Sequence, residues 1–101
     1  MARPRKHRCI KFNPNYAYFK PASIPLTKLK SVDLDIEELE AIRLKYYKNL
    51  DQVDCAKKMS ISQSSFQRLL QNANSKVAEA LVKGKVIKIN KPPGWSYCRH
   101  N

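Results

Sequence analysis

The stretch that decides the fold runs from Gln52 to Gln71 and reads Gln52-Val53-Asp54-Cys55-Ala56-Lys57-Lys58-Met59-Ser60-Ile61-Ser62-Gln63-Ser64-Ser65-Phe66-Gln67-Arg68-Leu69-Leu70-Gln71. Its spacing predicts one helix over 52–59, a three-residue turn, and a second helix beginning after Ser62. Asp51 caps the first of these and Ser62 the second, both residue types whose oxygen accepts a free N–H of the opening turn. Two helices joined by so short a turn pack at a steep angle. Their closest approach needs a small side chain, and Ala56 supplies it. Cys55, Met59, Ile61, Phe66 and Leu69 fill the remaining apolar positions of a shared core. The register is that of a helix-turn-helix. Ser60 takes the turn position usually held by glycine, where a left-handed backbone costs a serine about 1 kcal/mol.

The second helix offers a polar outer surface at its start. Gln63, Ser64, Gln67 and Arg68 project there, in the part of a recognition helix that enters the major groove. Gln pairs bidentately with adenine and Arg with guanine, and Ser accommodates either. Gln52, Lys57, Lys58 and Ser62 are placed to hold phosphates and fix the register. The plainer alternative is an ordinary helical hairpin with a solvated face. That alternative leaves the coincidence of small, apolar and capping positions unexplained.

Outward from this hairpin, the second helix continues to Lys83. Phe66, Leu69, Leu70, Ala73, Val77, Ala80 and Leu81 form its apolar stripe, and Gly84 suits the left-handed residue that ends a helix. A groove does not need so long a helix, so its second half is expected to pack on the body or on a partner subunit. Upstream, a helix is predicted over 36–48. Asp35 and Glu38 have capping-box spacing, acids occupy the first turns, and Leu39, Ile42 and Tyr46 are expected in the core. Residues 20–33 read as a loop. The run Val86-Ile87-Lys88-Ile89 reads as a strand, with the segment around Ile10 and Phe12 as its candidate partner; residues 16–19 read as a second short extended piece.

The whole chain has 101 residues and a formal net charge of +12, which fits one compact domain with a polyanionic partner. Residues 1–32 hold eight basic side chains and no acid, 33–54 hold seven of the eight acids, and 83–101 hold five more basic residues. The acidic helix is therefore expected to face away from nucleic acid or to pair with the basic arms. The layout is a basic arm and extended segment over 1–32, a helical core over 33–84, and a strand with a basic tail over 85–101. The fold class is mainly α: a helix-turn-helix with short terminal extended segments.

Several groups of residues resemble, together, a family of small prokaryotic proteins described as predicted DNA-binding proteins. They are Arg3-Pro4-Arg5-Lys6, Tyr18-Phe19-Lys20-Pro21-Ala22 with Ile24-Pro25-Leu26, the run from Glu37 to Leu44, and the run from Ser75 to Val82 followed by Gly84-Lys85. The resemblance extends from Arg3 to about Ile89. It implies a helix-turn-helix like that of sigma-factor region four, within the winged-helix-like superfamily, and a role in transcription regulation. Some members of that family are expected to carry an extra domain related to nitrogenase-cofactor proteins, and this chain is expected to end before one could begin.

The termini add two weaker signals. Arg3, Arg5, Lys6 and Arg8 resemble arms that lie in an A·T-rich minor groove, where negative potential is concentrated; the alternative is a tail that adds only non-specific attraction. His7, Cys9, Cys98 and His100 would make a tetrahedral zinc set if the two ends paired as antiparallel strands. Their spacing is not that of a common zinc finger, and incidental side chains are the alternative. No other cofactor is implied. Cys55 reads as an inert core residue.

Three cysteines argue against a disulfide framework. With no apolar run of membrane length and no signal peptide, a reduced cytoplasmic location is expected. No nucleophile–base pair or phosphate cradle occurs, so enzymatic activity is not expected. Tyr16, Tyr18, Tyr46, Tyr47 and Trp95 could stack on single-stranded bases, but are more simply core or subunit contacts. The expected partner is double-stranded DNA, bound by a homodimer whose contacts come from the spare length of the third helix and the terminal strand. No membrane or small-molecule partner is expected. A basic RNA-binding or ribosome-associated protein is the rival reading, and a zinc-dependent regulator a further one.

Overall fold

The computed structural model describes Ile10 and residues 18–91. These form a mainly helical unit with a small three-stranded sheet. In chain order the elements are β1 (Tyr18–Phe19), a 3-10 turn (Leu26–Lys28), β2 (Ser31–Asp35), α1 (Ile36–Ile42) continuing into a π-helical turn (Arg43–Tyr47), α2 (Gln52–Met59), α3 (Gln63–Lys83) and β3 (Val86–Asn90).

The sheet order is β1-β3-β2. The last strand lies in the middle, antiparallel to β1, with Phe19 opposite Ile87. It runs parallel to β2, with Leu34 opposite Ile89. A parallel pair needs a long crossover, and the three helices provide it. Of the residues around Ile10 expected to pair with β3, only Ile10 is described; it is buried and takes part in a β-bridge. The loop expected over 20–33 is corrected. Residues 31–35 are a strand, because Val32 and Leu34 alternate with Ser31, Asp33 and Asp35 and find a partner 55 residues downstream in the chain. The intervening acids, poor strand formers, hide that alternation.

β2 passes directly into α1. The Asp35 backbone N–H donates to Glu38 Oε1 at 2.9 Å, the return arm of a capping box. The buried face of α1 is Ile36, Glu40, Ala41 and Leu44, joined by Glu38, rather than the expected row of Leu39, Ile42 and Tyr46. Leu39 and Ile42 are half-buried, and Tyr46 stands exposed, its hydroxyl accepting from Asn74 Nδ2 at 3.2 Å. The sequence hides this face because two of its members are acids. Glu40 goes in with its own counter-ion: Arg43 Nε and Nη2 grip both carboxylate oxygens at 2.6 and 3.0 Å. A fork of this kind is among the stronger ionic hydrogen bonds. Glu38 goes in with Lys76 of α3, whose Nζ donates to Oε1 at 2.7 Å. The acidic helix thus turns two of its carboxylates inward.

One core ties the helices together. Ala41 and Leu44 from α1 and its π turn, Cys55, Ala56 and Met59 from α2, and Phe66 and Leu69 from α3 are buried against one another. Leu50, Ile61 and Leu70 pack around them. The five apolar positions and the small residue expected of the hairpin all lie in this cluster or against it. α3 then continues past the cluster with Ala73 and Ala80 buried, and the helix lies against α1, β2 and β3. Among the described residues, no buried side-chain nitrogen or oxygen lacks a hydrogen-bond partner. No described helix is long and apolar enough to cross a membrane.

Candidate nucleic-acid interface

The turn between α2 and α3 fixes how the second helix is presented. Ser60 ends α2 in the left-handed region, at φ 58° and ψ 42°. Its N–H donates to the Lys57 carbonyl at 3.1 Å, and the N–H of Ile61 donates to the Ala56 carbonyl, also at 3.1 Å. The strain expected of a serine here is therefore accepted rather than relieved. These two bonds satisfy carbonyls that the helix end leaves open. They also swing Ile61 under the hairpin.

Ser62 then starts α3. Its hydroxyl accepts the Ser65 N–H at 3.1 Å, lies 2.9 Å from Ser65 Oγ, to which it donates, and lies 3.3 Å from Ser64 Oγ. At the start of α2, Asp51 Oδ1 accepts the Asp54 N–H at 2.8 Å. Both caps are those the sequence predicts.

A residue advances 100° around a helix, so positions 63, 64, 67 and 68 share one face and 66, 69 and 73 the other. The second set is buried. The first set, Gln63, Ser64, Gln67 and Arg68, is exposed. Gln71 extends the same exposed row by one turn, a residue the sequence analysis passed over although its spacing from Gln67 and Arg68 marks it. On α2, Lys57 and Lys58 are exposed and Gln52 is half-buried. The first turn of α3 holds no acid, so its partial positive charge is not offset locally. Ser62 is exposed, but its hydroxyl is committed to the cap, which limits what it can give a phosphate.

Cys55 is fully buried behind this surface, its Sγ donating to the Leu50 carbonyl at 3.7 Å. Burial pushes the thiol up from its ordinary range, and the charge of Lys45 pulls weakly the other way. It packs in the core cluster with Ala56, Met59 and Phe66, and a raised thiol holds less of the reactive thiolate. Tyr47 is exposed, with Lys48 Nζ 5.7 Å from its ring centre. The basic arm Arg3, Arg5, Lys6 and Arg8 lies outside the described residues. So does the candidate zinc set His7, Cys9, Cys98 and His100. Among the described residues, no group of three or more His, Cys, Asp or Glu is gathered as a metal site.

Residues 1–95 match the model of the family described as "Protein of unknown function DUF134". The chain belongs to this family. Among DUF134 relatives, it is similar to the UPF0251 protein of Desulforudis audaxviator, with 53% identity over 89 residues that cover 88% of this chain and 58% of the relative. The UPF0251 protein of Halothermothrix orenii is 50% identical over 88 residues, which cover 87% of this chain and 65% of the relative. That of Syntrophomonas wolfei is 47% identical over 102 residues, covering 98% and 78%. The chain thus spans about three fifths of the length of the first two relatives. No solved structure matches it.

Proposed function

We propose that this DUF134 chain is a sequence-specific DNA-binding protein, a transcriptional regulator whose α2–turn–α3 unit is a helix-turn-helix of the sigma-factor region-four kind. One observation carries the reading. Gln63, Ser64, Gln67 and Arg68 stand exposed on the outer side of α3, while Phe66 and Leu69 lock the other side into the core shared with α1 and α2. A rigidly backed helix that presents amide and guanidinium groups suits the edges of base pairs. The acids buried in α1 are consistent with it, since two carboxylates that would repel phosphates are paired inside the fold.

In this reading the start of α3 enters the major groove. Arg68 donates to a guanine, Gln63 and Gln67 pair with adenines, and Ser64 makes an adaptable contact. Lys57, Lys58, Gln52 and the Ser62 region hold the flanking phosphates. Arg3, Arg5, Lys6 and Arg8 add counter-ion release and reach toward the minor groove. The reading is of a binding protein, with no catalytic step.

The test is selection of bound duplexes from a random pool, followed by titration of the selected duplex, a scrambled duplex and a structured RNA of matched length at one salt concentration. A preference for the selected duplex of about a thousandfold supports the reading. Equal affinity for all three, or a preference for the RNA, rejects it in favour of a general or RNA-directed polyanion binder.

A further inference from the structure

The π-helical turn that ends the first helix carries two aromatic side chains that the core does not take up. Tyr46 is 54% exposed and Tyr47 76%. The backbone of the turn is held firmly: the Lys48 N–H donates to the Arg43 carbonyl at 2.8 Å, and the Leu50 N–H to the Leu44 carbonyl at 3.1 Å. From this turn Tyr46 reaches α3, where its hydroxyl accepts from Asn74 Nδ2 at 3.2 Å. Asn74 is itself exposed. It stands seven residues beyond Gln67, so it falls within about 20° of the same line along the helix and about 10 Å further on. It is also three residues from Gln71, which makes the two neighbours on the helix surface. The Tyr46–Asn74 pair therefore continues the exposed row of Gln63, Gln67 and Gln71.

The pair has a donor left to give. The phenol holds one polar proton and the amide two, and their mutual bond uses one of the three. If Asn74 donates, the phenolic O–H remains; if the amide turns over and Tyr46 donates, both amide protons remain. Neither side chain has another hydrogen-bond partner among the described residues. The surroundings suit an anion. α3 holds no acid before Glu79, and the stretch from Arg43 to Lys48 holds three basic residues and no acid. Of the acids on either side of that stretch, Glu40 is gripped by Arg43 and Asp51 accepts at the α2 cap.

From this we infer that the Tyr46–Asn74 pair binds a backbone phosphate of duplex DNA, an inference that rests on the reading of α3 proposed above. The major groove is about 12 Å wide. A straight helix that meets base edges at Gln67 and runs on for about 10 Å comes to the sugar–phosphate wall of that groove. A phosphate oxygen only accepts, which matches the proton left on the pair, and its charge strengthens the bond. Lys57 and Lys58 stand close to the turn that begins α3, and Tyr46 stands where the reading row ends. Phosphates held at both places bracket the row and fix how far the helix advances along the groove.

Full-length variants and the selected duplex test the contact. Tyr46→Phe and Asn74→Ala remove polar groups at exposed positions and should leave the melting point nearly unchanged. Tyr46→Phe should weaken the selected duplex and its single-base variants alike, by about tenfold, the loss of one hydrogen bond to a charged group. Asn74→Ala should act in the same direction. Methylphosphonate substitution, which neutralises one phosphate at a time, separates a contact from a strut between helices. At one position it should weaken the wild type by about tenfold and Tyr46→Phe hardly at all. Tyr46→Phe that binds duplex like the wild type, or that loses as much as the wild type at every substituted phosphate, overturns the inference. A loss confined to single-stranded oligonucleotide overturns it in favour of base stacking. Tyr46→Phe at full affinity beside a weakened Lys58→Ala sinks this contact and leaves the DNA reading intact. A wild type with no preference for duplex sinks both.

Discussion

Lys76 of α3 donates to Glu38 of α1 at 2.7 Å, across 38 residues of chain, while the same carboxylate oxygen accepts the Asp35 N–H at the junction of β2 and α1. One buried oxygen thus joins strand, first helix and third helix. Removing the lysine leaves a carboxylate that is largely out of water without its counter-charge. Lys76→Met should lower the unfolding free energy by about 1–3 kcal/mol, below the full cost of breaking a buried pair because the lysine is partly solvated. Urea unfolding measures it. A variant as stable as the wild type would show that Glu38 is satisfied by its cap alone.

Phe66 is the largest fully buried side chain of the helical core and sits on the reverse of the proposed reading face. Phe66→Ala should cost about 3–5 kcal/mol. For a domain of this size that is a large share of total stability. Thermal unfolding by circular dichroism should show a melting point lower by 10 °C or more, at roughly 4–8 °C per kcal/mol.

The left-handed Ser60 gives a prediction of opposite sign. Glycine takes φ 58° without penalty. Ser60→Gly should stabilise the fold by a few tenths to about 1 kcal/mol, the gain reduced by the greater freedom of glycine in the unfolded chain. The denaturant midpoint should rise with an unchanged slope. A fall in the midpoint would mean that the turn does not adopt this conformation.

Cys55 titrates later in the folded chain than in the unfolded chain, because burial raises its thiol. The sign follows: the unfolded state releases its proton first, so this residue lowers stability as pH climbs above about 8.5 and has no effect below it. With Cys9 and Cys98 replaced by serine, alkylation at pH 8 should proceed at the rate of global unfolding and be sharply accelerated by denaturant. Rapid alkylation of the native protein would place the thiol at the surface.

Much of the helical part was legible because its signals are local. Asp51, Ser62 and Gly84 delimit α2 and α3 through atoms within four residues of themselves, and Ala56, Phe66 and Leu69 are specified by the spacing of a tight hairpin. What escaped depends on distant partners. β2 is a strand because β3 pairs with it, and Glu38 and Glu40 are core residues because Lys76 and Arg43 accompany them inward. Neither fact is visible in residues 31–40 alone. Leu81 was misplaced for a related reason: it stands about 100° around the helix from the buried Ala80, at the margin of the stripe, where it lines a shallow groove with Phe19 and Ile87 and is left exposed. The exposed row Gln63, Ser64, Gln67 and Arg68 could be read in advance, since exposure on a capped amphipathic helix follows from phase.

The division of labour on that row is the most direct test of the central claim. Base preference and the salt dependence of affinity should be measured for Arg68→Ala and Lys58→Ala on the selected duplex and its single-base variants. Arg68→Ala should flatten the preference at one or two positions, a loss of about 1–3 kcal/mol of discrimination there. Lys58→Ala should weaken every duplex alike and reduce the salt slope by about one. If Arg68→Ala leaves the base preference intact, α3 is not the reading element and the account is wrong.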